Sequence, residues 1–201
     1  IAGIVGFSSN DGSSQQKVII SDCINYGDMT SATGRTSGIV AAANRYTQLT
    51  NCVNHGNQMN TCPKEDAGRL GNITCITGTG CSMTDCINNG NLVSTGGARC
   101  GGLLSLANHA TNSFSGCANY GEIVTDDANR GVFFGYSAYA TSWINCIAGG
   151  KVGVYNGGTT VYDSYGENEQ VRYLGVQKAT DPINADNITY LLSLIHISEP
   201  T

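Results

Sequence analysis

The pentapeptide CINYG at residues 23–27 decides the fold, because the chain repeats its pattern four more times. The related stretches are CVNHG at 52–56, CINNG at 86–90, CANYG at 117–121 and CIAGG at 146–150. The cysteines of the pattern therefore stand at positions 23, 52, 86, 117 and 146, at nearly even intervals. A period of about 30 residues, repeated this often, is typical of a solenoid, in which each repeat contacts its neighbours.

Several positions keep their chemical character from unit to unit. In a stack of coils such a position becomes a column of like side chains, so we predict a buried cysteine column and an Asn column joined by amide hydrogen bonds. The cysteine column is Cys23, Cys52, Cys86, Cys117 and Cys146. The Asn column is Asn25, Asn54, Asn88 and Asn119. Large apolar residues precede the cysteines by three positions: Ile20, Leu49, Met83, Phe114 and Trp143.

The residues around the cysteine also predict a sharp corner. The residue before it is Asp, Asn or Gly in every unit, which indicates a polar turn. We expect the Asn column to supply the left-handed backbone of the corner. The Gly at the end of each pentapeptide should either adopt a positive φ or permit close backbone approach.

A second, apolar element leads each unit. From the Gly of one pentapeptide to the Gly of the next apolar element, the spacing is nearly constant, at 11, 12, 12 and 10 residues. From the Gly of the apolar element to the following cysteine, the spacing varies, at 20, 14, 18, 15 and 15 residues. We therefore predict one variable loop per coil in the second interval, at 7–19, 42–48, 72–82, 106–113 and 136–142. The elements are AGIVG at 2–6, SGIVA at 37–41, AGRLG at 67–71, GGLLS at 101–105 and RGVFFG at 130–135.

The fold class follows from short β-favouring runs between Gly and Asn residues, without a 3.6-residue apolar period. The 27 glycines and the charged fraction of only 12% suit short strands joined by tight turns. We predict an all-β, right-handed parallel β-helix, or β-solenoid, of about five coils of 29–35 residues. Residues 1–161 should form the repeats of a fragment that lacks upstream coils, and residues 162–191 an irregular final coil or cap.

The C-terminal stretch LSLIHISEPT at 192–201 resembles the translation of an adapter used in sequencing libraries. We interpret it as an artefact of a metagenomic fragment and leave it out of the fold prediction.

The alternation of G-[IL]-[VL]-G with C-x-N-x-G over roughly residues 1–155 resembles the GLUG-type repeats of bacterial surface and secreted proteins, such as those of gut Bacteroidetes and Firmicutes. This chain departs from the pattern at Arg69, at the extra residue of GVFFG and at Ala148, where the fifth Asn is missing. Arg69 predicts a locally altered coil beside an insertion at 57–82. The resemblance implies export, an extracellular or cell-surface location, and an adhesive or spacer role without catalytic residues.

Composition limits the partners. The net charge of −5, the sequence pI near 5.0 and the lack of a Lys/Arg cluster argue against nucleic acid as a partner. The longest apolar stretches are shorter than the roughly 20 residues that cross a bilayer, so we predict no membrane span in this fragment.

The sequence predicts neither a metal site nor a cofactor. The column cysteines are too far apart for a metal motif, and the remaining four, Cys62, Cys75, Cys81 and Cys100, include no C-x-x-C pair. One or two disulfides among these four would suit an exported protein, and the sequence leaves their pairing open.

No catalytic residue is predicted either. His55 is interpreted as a solvated surface residue, and no nucleophile–base pattern is recognisable. The alternative, a carbohydrate-active β-helix enzyme, needs clustered acids. The tight acidic pair, Asp126 and Asp127 beside Arg130, is interpreted as a solvated turn.

Binding is the remaining function class. The predicted loops contain aromatic and basic residues along one edge of the solenoid, which would suit contact with a glycan or with a host or bacterial surface protein. The sequence therefore favours an adhesive stalk, and the alternatives are the enzyme above or a passive spacer beside a functional domain. The candidate binding residues are Arg45, Tyr46, His109, Tyr136 and Tyr139.

Overall fold

The computed structural model describes residues 1–10, 17–32, 34–62, 68–109, 111–156, 159–163, 173–178 and 183–191. These residues are almost all β, and their strands stack coil upon coil as a parallel β-solenoid, which confirms the predicted fold class. No helix in this part of the chain is long and apolar enough to cross a membrane. The predicted adapter-derived residues, 192–201, lie outside the described residues.

The described strands recur five to a coil. The first set is β1 (Val18–Ser21), β2 (Ile24–Asn25), β3 (Met29–Ser31), β4 (Arg35–Thr36) and β5 (Ala43–Arg45). The second is β6 (Thr47–Thr50), β7 (Val53–Asn54), β8 (Gln58–Asn60), β9 (Arg69–Gly71) and β10 (Thr74–Thr79). The third is β11 (Ser82–Thr84), β12 (Ile87–Asn88), β13 (Leu92–Ser94), β14 (Arg99–Gly101) and β15 (Leu104–Ala107).

The later coils follow the same order. The fourth set is β16 (Ser113–Ser115), β17 (Ala118–Asn119), β18 (Ile123–Thr125), β19 (Arg130–Gly131) and β20 (Phe134–Ser137). The fifth is β21 (Ser142–Ile144), β22 (Ile147–Ala148), β23 (Val152–Asn156) and β25 (Val176–Gln177), whereas β24 (Thr159–Tyr162) forms a hairpin with β23 and lies outside this order. The last strands are β26 (Asn184–Asp186) and β27 (Thr189–Tyr190).

Strands at the same place in successive coils form five sheets. Pairing between coils is parallel throughout, so in-register side chains stack along the axis at about the 4.8 Å spacing of neighbouring strands. Sheet A contains β1, β6, β11, β16, β21 and β26, and sheet B contains β2, β7, β12, β17, β22 and β27. Sheet C contains β3, β8, β13, β18, β23 and β24, sheet D contains β4, β9, β14 and β19, and sheet E contains β5, β10, β15, β20 and β25.

Strand pairing corrects the predicted alignment of the apolar elements. Gly101 pairs with Gly71 in the preceding coil and with Gly131 in the following coil. The next residues in those two coils, Asn72 and Val132, therefore start the apolar element. Arg69–Gly71, the last three residues of AGRLG, form β9 in sheet D instead, and GVFFG contains no extra residue. The prediction failed because G-R-L-G has the glycine spacing of G-I-V-G at 3–6, whereas the true element, N-I-T-C at 72–75, contains no glycine.

The corrected alignment moves the variable part of the repeat. In the second to fifth units, the spacing from the aligned start of the apolar element to the next cysteine is nearly constant, at 14, 14, 15 and 14. The spacing from the preceding pentapeptide Gly to that start is 11, 16, 12 and 11, so the extra length lies in the third unit, between Gly56 and Asn72. Four of the five predicted variable loops are therefore wrong, since 42–48, 72–82, 106–113 and 136–142 each contain sheet E residues, while the first, 7–19, lies partly outside the described residues.

The solenoid interior is built from the predicted apolar column. Ile20, Leu49, Met83, Phe114 and Trp143 are in register along sheet A, and all are buried. The Trp143 ring stacks on Phe114 at 4.1 Å and on Phe133 at 4.9 Å between ring centroids. Four of the column cysteines are buried in the same core, while Cys23 at its start is half-buried.

The corner beside the cysteine differs from the prediction in its backbone. The left-handed residue stands one position before the cysteine, not at the Asn column. The Gly after the Asn permits close backbone approach instead, since a Cβ on Gly90 would lie 2.1 Å from the carbonyl oxygen of Gly56. The left-handed residues are Asp22 (φ 56°), Asn51 (51°), Asp85 (52°), Gly116 (62°) and Asn145 (54°).

The stack continues beyond the fifth pentapeptide. Strands β25, β26 and β27 pair in parallel with β20, β21 and β22, so the described residues after 172 extend sheets E, A and B. Ile188 takes the place of the column cysteine and packs against the core, and Asn187 before it has a φ of 54°. Strand β24 pairs antiparallel with β23 and forms the edge of sheet C.

Candidate binding surface

Three of the five candidate binding residues lie in one row, where sheet E ends and the chain turns into sheet A. Arg45 pairs with Thr79 at the end of β10. His109 and Tyr139 stand two residues beyond the paired Ala107 and Ser137 of the next coils. The row Arg45, Thr79, His109 and Tyr139 thus crosses four successive coils, and we call it the corner row.

Aromatic contacts order the corner row. The His109 and Tyr139 rings stack with centroids 5.7 Å apart and planes inclined by 29°. Tyr139 is 46% exposed, so much of this residue remains accessible at the surface beside the stacked His109. The Thr111 hydroxyl lies 3.4 Å from His109 Nδ1, which holds the imidazole from its other side.

Tyr46 flanks the corner row in the left-handed conformation, with a φ of 46°. Gly80, the residue in register on the next coil, has a φ of 65°, and a Cβ there would lie 2.6 Å from Tyr46 Cδ1. The Tyr46 ring therefore occupies the space that the glycine leaves, and the tyrosine is half-buried. An aromatic residue at a left-handed position is uncommon, which marks this corner as a constrained surface.

Tyr136 does not belong to the corner row. It lies within sheet E, in register with Leu106 and packed against the small apolar cluster of Cys75, Ile76 and Leu106. The Arg99 guanidinium carbon lies 5.1 Å from the centre of the Tyr136 ring. Tyr136 is thus placed against sheet D rather than at the predicted edge.

A second exposed row runs along the pentapeptide corner, at the position after the Asn column. Tyr26 and His55 stack face to face, with centroids 4.8 Å apart and planes inclined by 3°. The Nδ2 atom of Asn89 lies 3.3 Å from His55 Nδ1, and Tyr120 on the next coil is exposed. His55 is a surface residue, as interpreted from the sequence, but it belongs to an ordered stack.

Between the two rows, the Asn column forms a continuous amide ladder. Asn25 Nδ2 donates to Asn54 Oδ1 at 2.8 Å, Asn54 Nδ2 to Asn88 Oδ1 at 2.9 Å, and Asn88 Nδ2 to Asn119 Oδ1 at 2.6 Å. Each Nδ2 also donates to the carbonyl of the Gly two residues later, at 2.8–3.0 Å. This ladder fixes the vertical register of the corners, including the exposed second row.

The acidic pair is used in a turn. Asp127 is buried, and its Oδ1 accepts hydrogen bonds from the backbone and side-chain nitrogens of Asn129, at 2.7 and 2.8 Å. Arg130 donates to the Asp127 carbonyl and forms a two-pronged ion pair with Asp163, with both distances at 2.9 Å. These contacts tie Asp163 to sheet D and place the acidic pair in a turn, but the predicted solvation holds for Asp126 alone, because Asp127 is buried and makes its own hydrogen bonds.

The cysteines are thiols, and no disulfide joins any two of the nine, all of which lie in the described part of the chain. In the column, each sulfur donates to the carbonyl two residues earlier, as Cys86 does to Thr84 at 3.4 Å. A hydrogen bond with the Cys86 thiol, and then burial, raises the pKa of Cys52. Burial raises the pKa of Cys75 to about 12, and its sulfur donates to the Thr36 carbonyl at 2.8 Å. Within the described residues, no three His, Cys, Asp or Glu side chains are grouped as a metal ion would need.

Comparison with protein-family models, curated proteins and solved structures finds no significant match to this chain. The geometry of its own surface is therefore the basis for any functional proposal.

A third surface feature, a column of arginines, was not predicted from the sequence. Arg35, Arg69 and Arg99 are in register on β4, β9 and β14. The signal was present in the sequence, since each arginine stands three positions before the start of the apolar element. It was hidden because Arg69 was assigned to the apolar element itself.

Proposed function

We propose that this chain is a non-catalytic, GLUG-like repeat module of an exported protein, located outside the cell or on its surface. It acts as an adhesive stalk: the stacked coils form a rigid rod, and residues on its corners contact a glycan or a surface protein. The stack of His109 on Tyr139 in the corner row is the observation that carries this proposal, because it offers an ordered, exposed aromatic face.

The chemistry of the corner row favours a sugar ligand. Tyrosine combines a large apolar ring with a hydroxyl, and an already stacked ring loses little conformational freedom on binding. The exposed Arg45 and the Thr79 hydroxyl add hydrogen-bonding groups on the neighbouring coils of the same row. Because the row is straight and repeats once per coil, it fits an extended ligand better than a compact one.

A glycan array with the full 201-residue chain tests the proposal. We expect binding to neutral glycans that Tyr139→Ser weakens about tenfold or more, as the loss of a central aromatic contact does in other interfaces. The matched control is Tyr120→Ser, which removes an exposed tyrosine from the second row and should leave binding unchanged. Equal losses in both variants, or no binding by a chain with a β-type circular dichroism spectrum, would contradict the proposal.

A further inference from the structure

The arginine column places three like charges on adjacent coils. Arg35 pairs with Arg69 and Arg69 with Arg99, so the three side chains leave the same face of sheet D at about 4.8 Å intervals. Asn129 takes the same position on the following coil, because Cys100 pairs with Arg130. Three of the six arginines in the chain thus stand in one line.

No carboxylate in the described part of the chain forms an ion pair with this column. The ion pairs described there join Arg130 to Asp163 and Lys151 to Glu122. Burial, followed by the charges of Arg35 and Arg99, lowers the pKa of Arg69. Like charges directly opposite each other on neighbouring strands are destabilising, so the column costs the fold stability. Such a cost is expected where the charges serve a ligand.

The column is held in place by the sheet beside it. Arg99 lies over the Tyr136 ring, and Tyr136 continues the apolar row of Ile76 and Leu106 on sheet E. Arg69 and Arg99 are half-buried, whereas Arg35 is exposed. An arginine whose stem packs on apolar surface keeps its guanidinium at the surface with fewer conformations to lose on binding.

We propose that the arginine column binds a linear acidic polysaccharide, in which each guanidinium binds one carboxylate of the polymer. The guanidinium fork matches a carboxylate with two parallel hydrogen bonds, and a charge that recurs on every coil suits a charge that recurs along a polymer. This surface lies on sheet D, apart from the corner row, so the inference goes beyond the adhesive role proposed above.

A nucleic acid fits the same observations less well. Single-stranded nucleic acids are bound by aromatic rings that stack on successive bases beside a basic groove. In the described part of the chain, aromatic contact with the column comes from Tyr136, at one of its three coils.

Biolayer interferometry of the full chain against polygalacturonate tests the inference, with neutral dextran as the reference polymer. We expect binding to polygalacturonate alone, weakened about tenfold by Arg69→Met, which keeps the length of the stem and removes the charged hydrogen bonds. Arg69→Lys should recover only part of the affinity, because lysine keeps the charge without the fork. The control, Lys178→Met, removes one exposed cation that lies outside both the column and the corner row, and it should bind like the original chain.

Three results would overturn the inference: no binding to polygalacturonate, equal losses in Arg69→Met and Lys178→Met, or tighter binding to a thymidine oligonucleotide. We expect Arg69→Met to keep the melting temperature, since it relieves repulsion; if it does not, the exposed Arg35→Met takes its place. The Tyr139→Ser variant separates the two proposals, because it should lose neutral glycans and keep polygalacturonate.

Discussion

At the scale of single residues, the Asn ladder shows how one amide can serve two coils. Asn88 Nδ2 donates both to the Gly90 carbonyl of its own coil and to Asn119 Oδ1 of the next. Its Oδ1 accepts from Asn54 Nδ2 and from the Gly90 backbone nitrogen. All the hydrogen-bonding groups of this buried amide are therefore satisfied, as the low dielectric of an interior demands.

We expect Asn88→Ala to destabilise the chain by about 3 kcal/mol, because it leaves buried groups of Asn54 and Asn119 without their partners. For a chain of this size, the melting temperature should fall by about 6–12 °C. Thermal unfolding followed by circular dichroism measures the shift. Asn89→Ala is the control: its exposed side chain contacts His55, and its removal should change the stability by less than about 0.5 kcal/mol. Similar shifts in the two variants would refute the assigned role of the ladder.

At the scale of elements, sheet A organises the interior through the aromatic end of its apolar column. Trp143 on β21 is fully buried and stacks on Phe114 of β16, and its Nε1 donates to the Thr141 hydroxyl at 3.0 Å. Phe133 and Phe134 reach the same ring from across the coil. This cluster joins the apolar element to sheet A and therefore closes the coil.

Trp143→Ala should cost about 3–5 kcal/mol, because the cavity that it leaves is enclosed by the neighbouring rings and strands. Urea unfolding monitored by circular dichroism measures this loss, since the variant lacks the only tryptophan. Ile144→Ala changes the adjacent residue of the same strand, whose side chain is 38% exposed, and should cost less than about 1 kcal/mol. A loss for Trp143→Ala no larger than that of this control would contradict the assigned packing.

At the scale of the whole molecule, the solenoid buries thiols along its length. Eight of the nine cysteines are buried, and the same coils present the corner row, the second row and the arginine column on different faces. Each coil packs against its neighbours, so ionisation of one buried thiol also destabilises the adjoining coils. Ionisation of the buried thiols therefore affects the molecule as a whole.

We expect the stability of the chain to fall above pH 9, in part through Cys75. Its pKa is raised by burial from 9.0 to about 12, so between these values the unfolded chain has lost the proton that the folded chain keeps. The contribution of this thiol is complete below pH 9 and decreases by about 1.4 kcal/mol per pH unit above it. Urea titrations from pH 8 to pH 10.5 measure the slope. Cys75→Ala should show a shallower slope, and an unchanged slope would show that other groups dominate.

The sequence determined the solenoid by itself. The pentapeptide repeats at intervals close to one coil, and only a stack of coils turns such a period into columns of Cys, Asn and large apolar side chains. The interior could thus be predicted, because each position of the apolar column or the cysteine column recurs once per repeat and is filled by an apolar residue or cysteine. The Asp, Asn and Gly residues before the cysteines also indicated a turn, and all five of them are left-handed residues of the corner.

Only the tertiary structure decided the register of the apolar elements and which surface residues are aligned between coils. G-R-L-G at 68–71 matches the glycine spacing of the first apolar element better than the true element, N-I-T-C at 72–75, does, and only the hydrogen bonds between coils identify the true element. With the observed register, four of the predicted loops contain strands of sheet E, and Tyr136 lies within that sheet rather than in the corner row. The same register aligns Arg35, Arg69 and Arg99 on adjacent coils. Contacts between side chains a whole coil apart in sequence depend on strand pairing, which a one-dimensional pattern specifies only when its alignment is unambiguous.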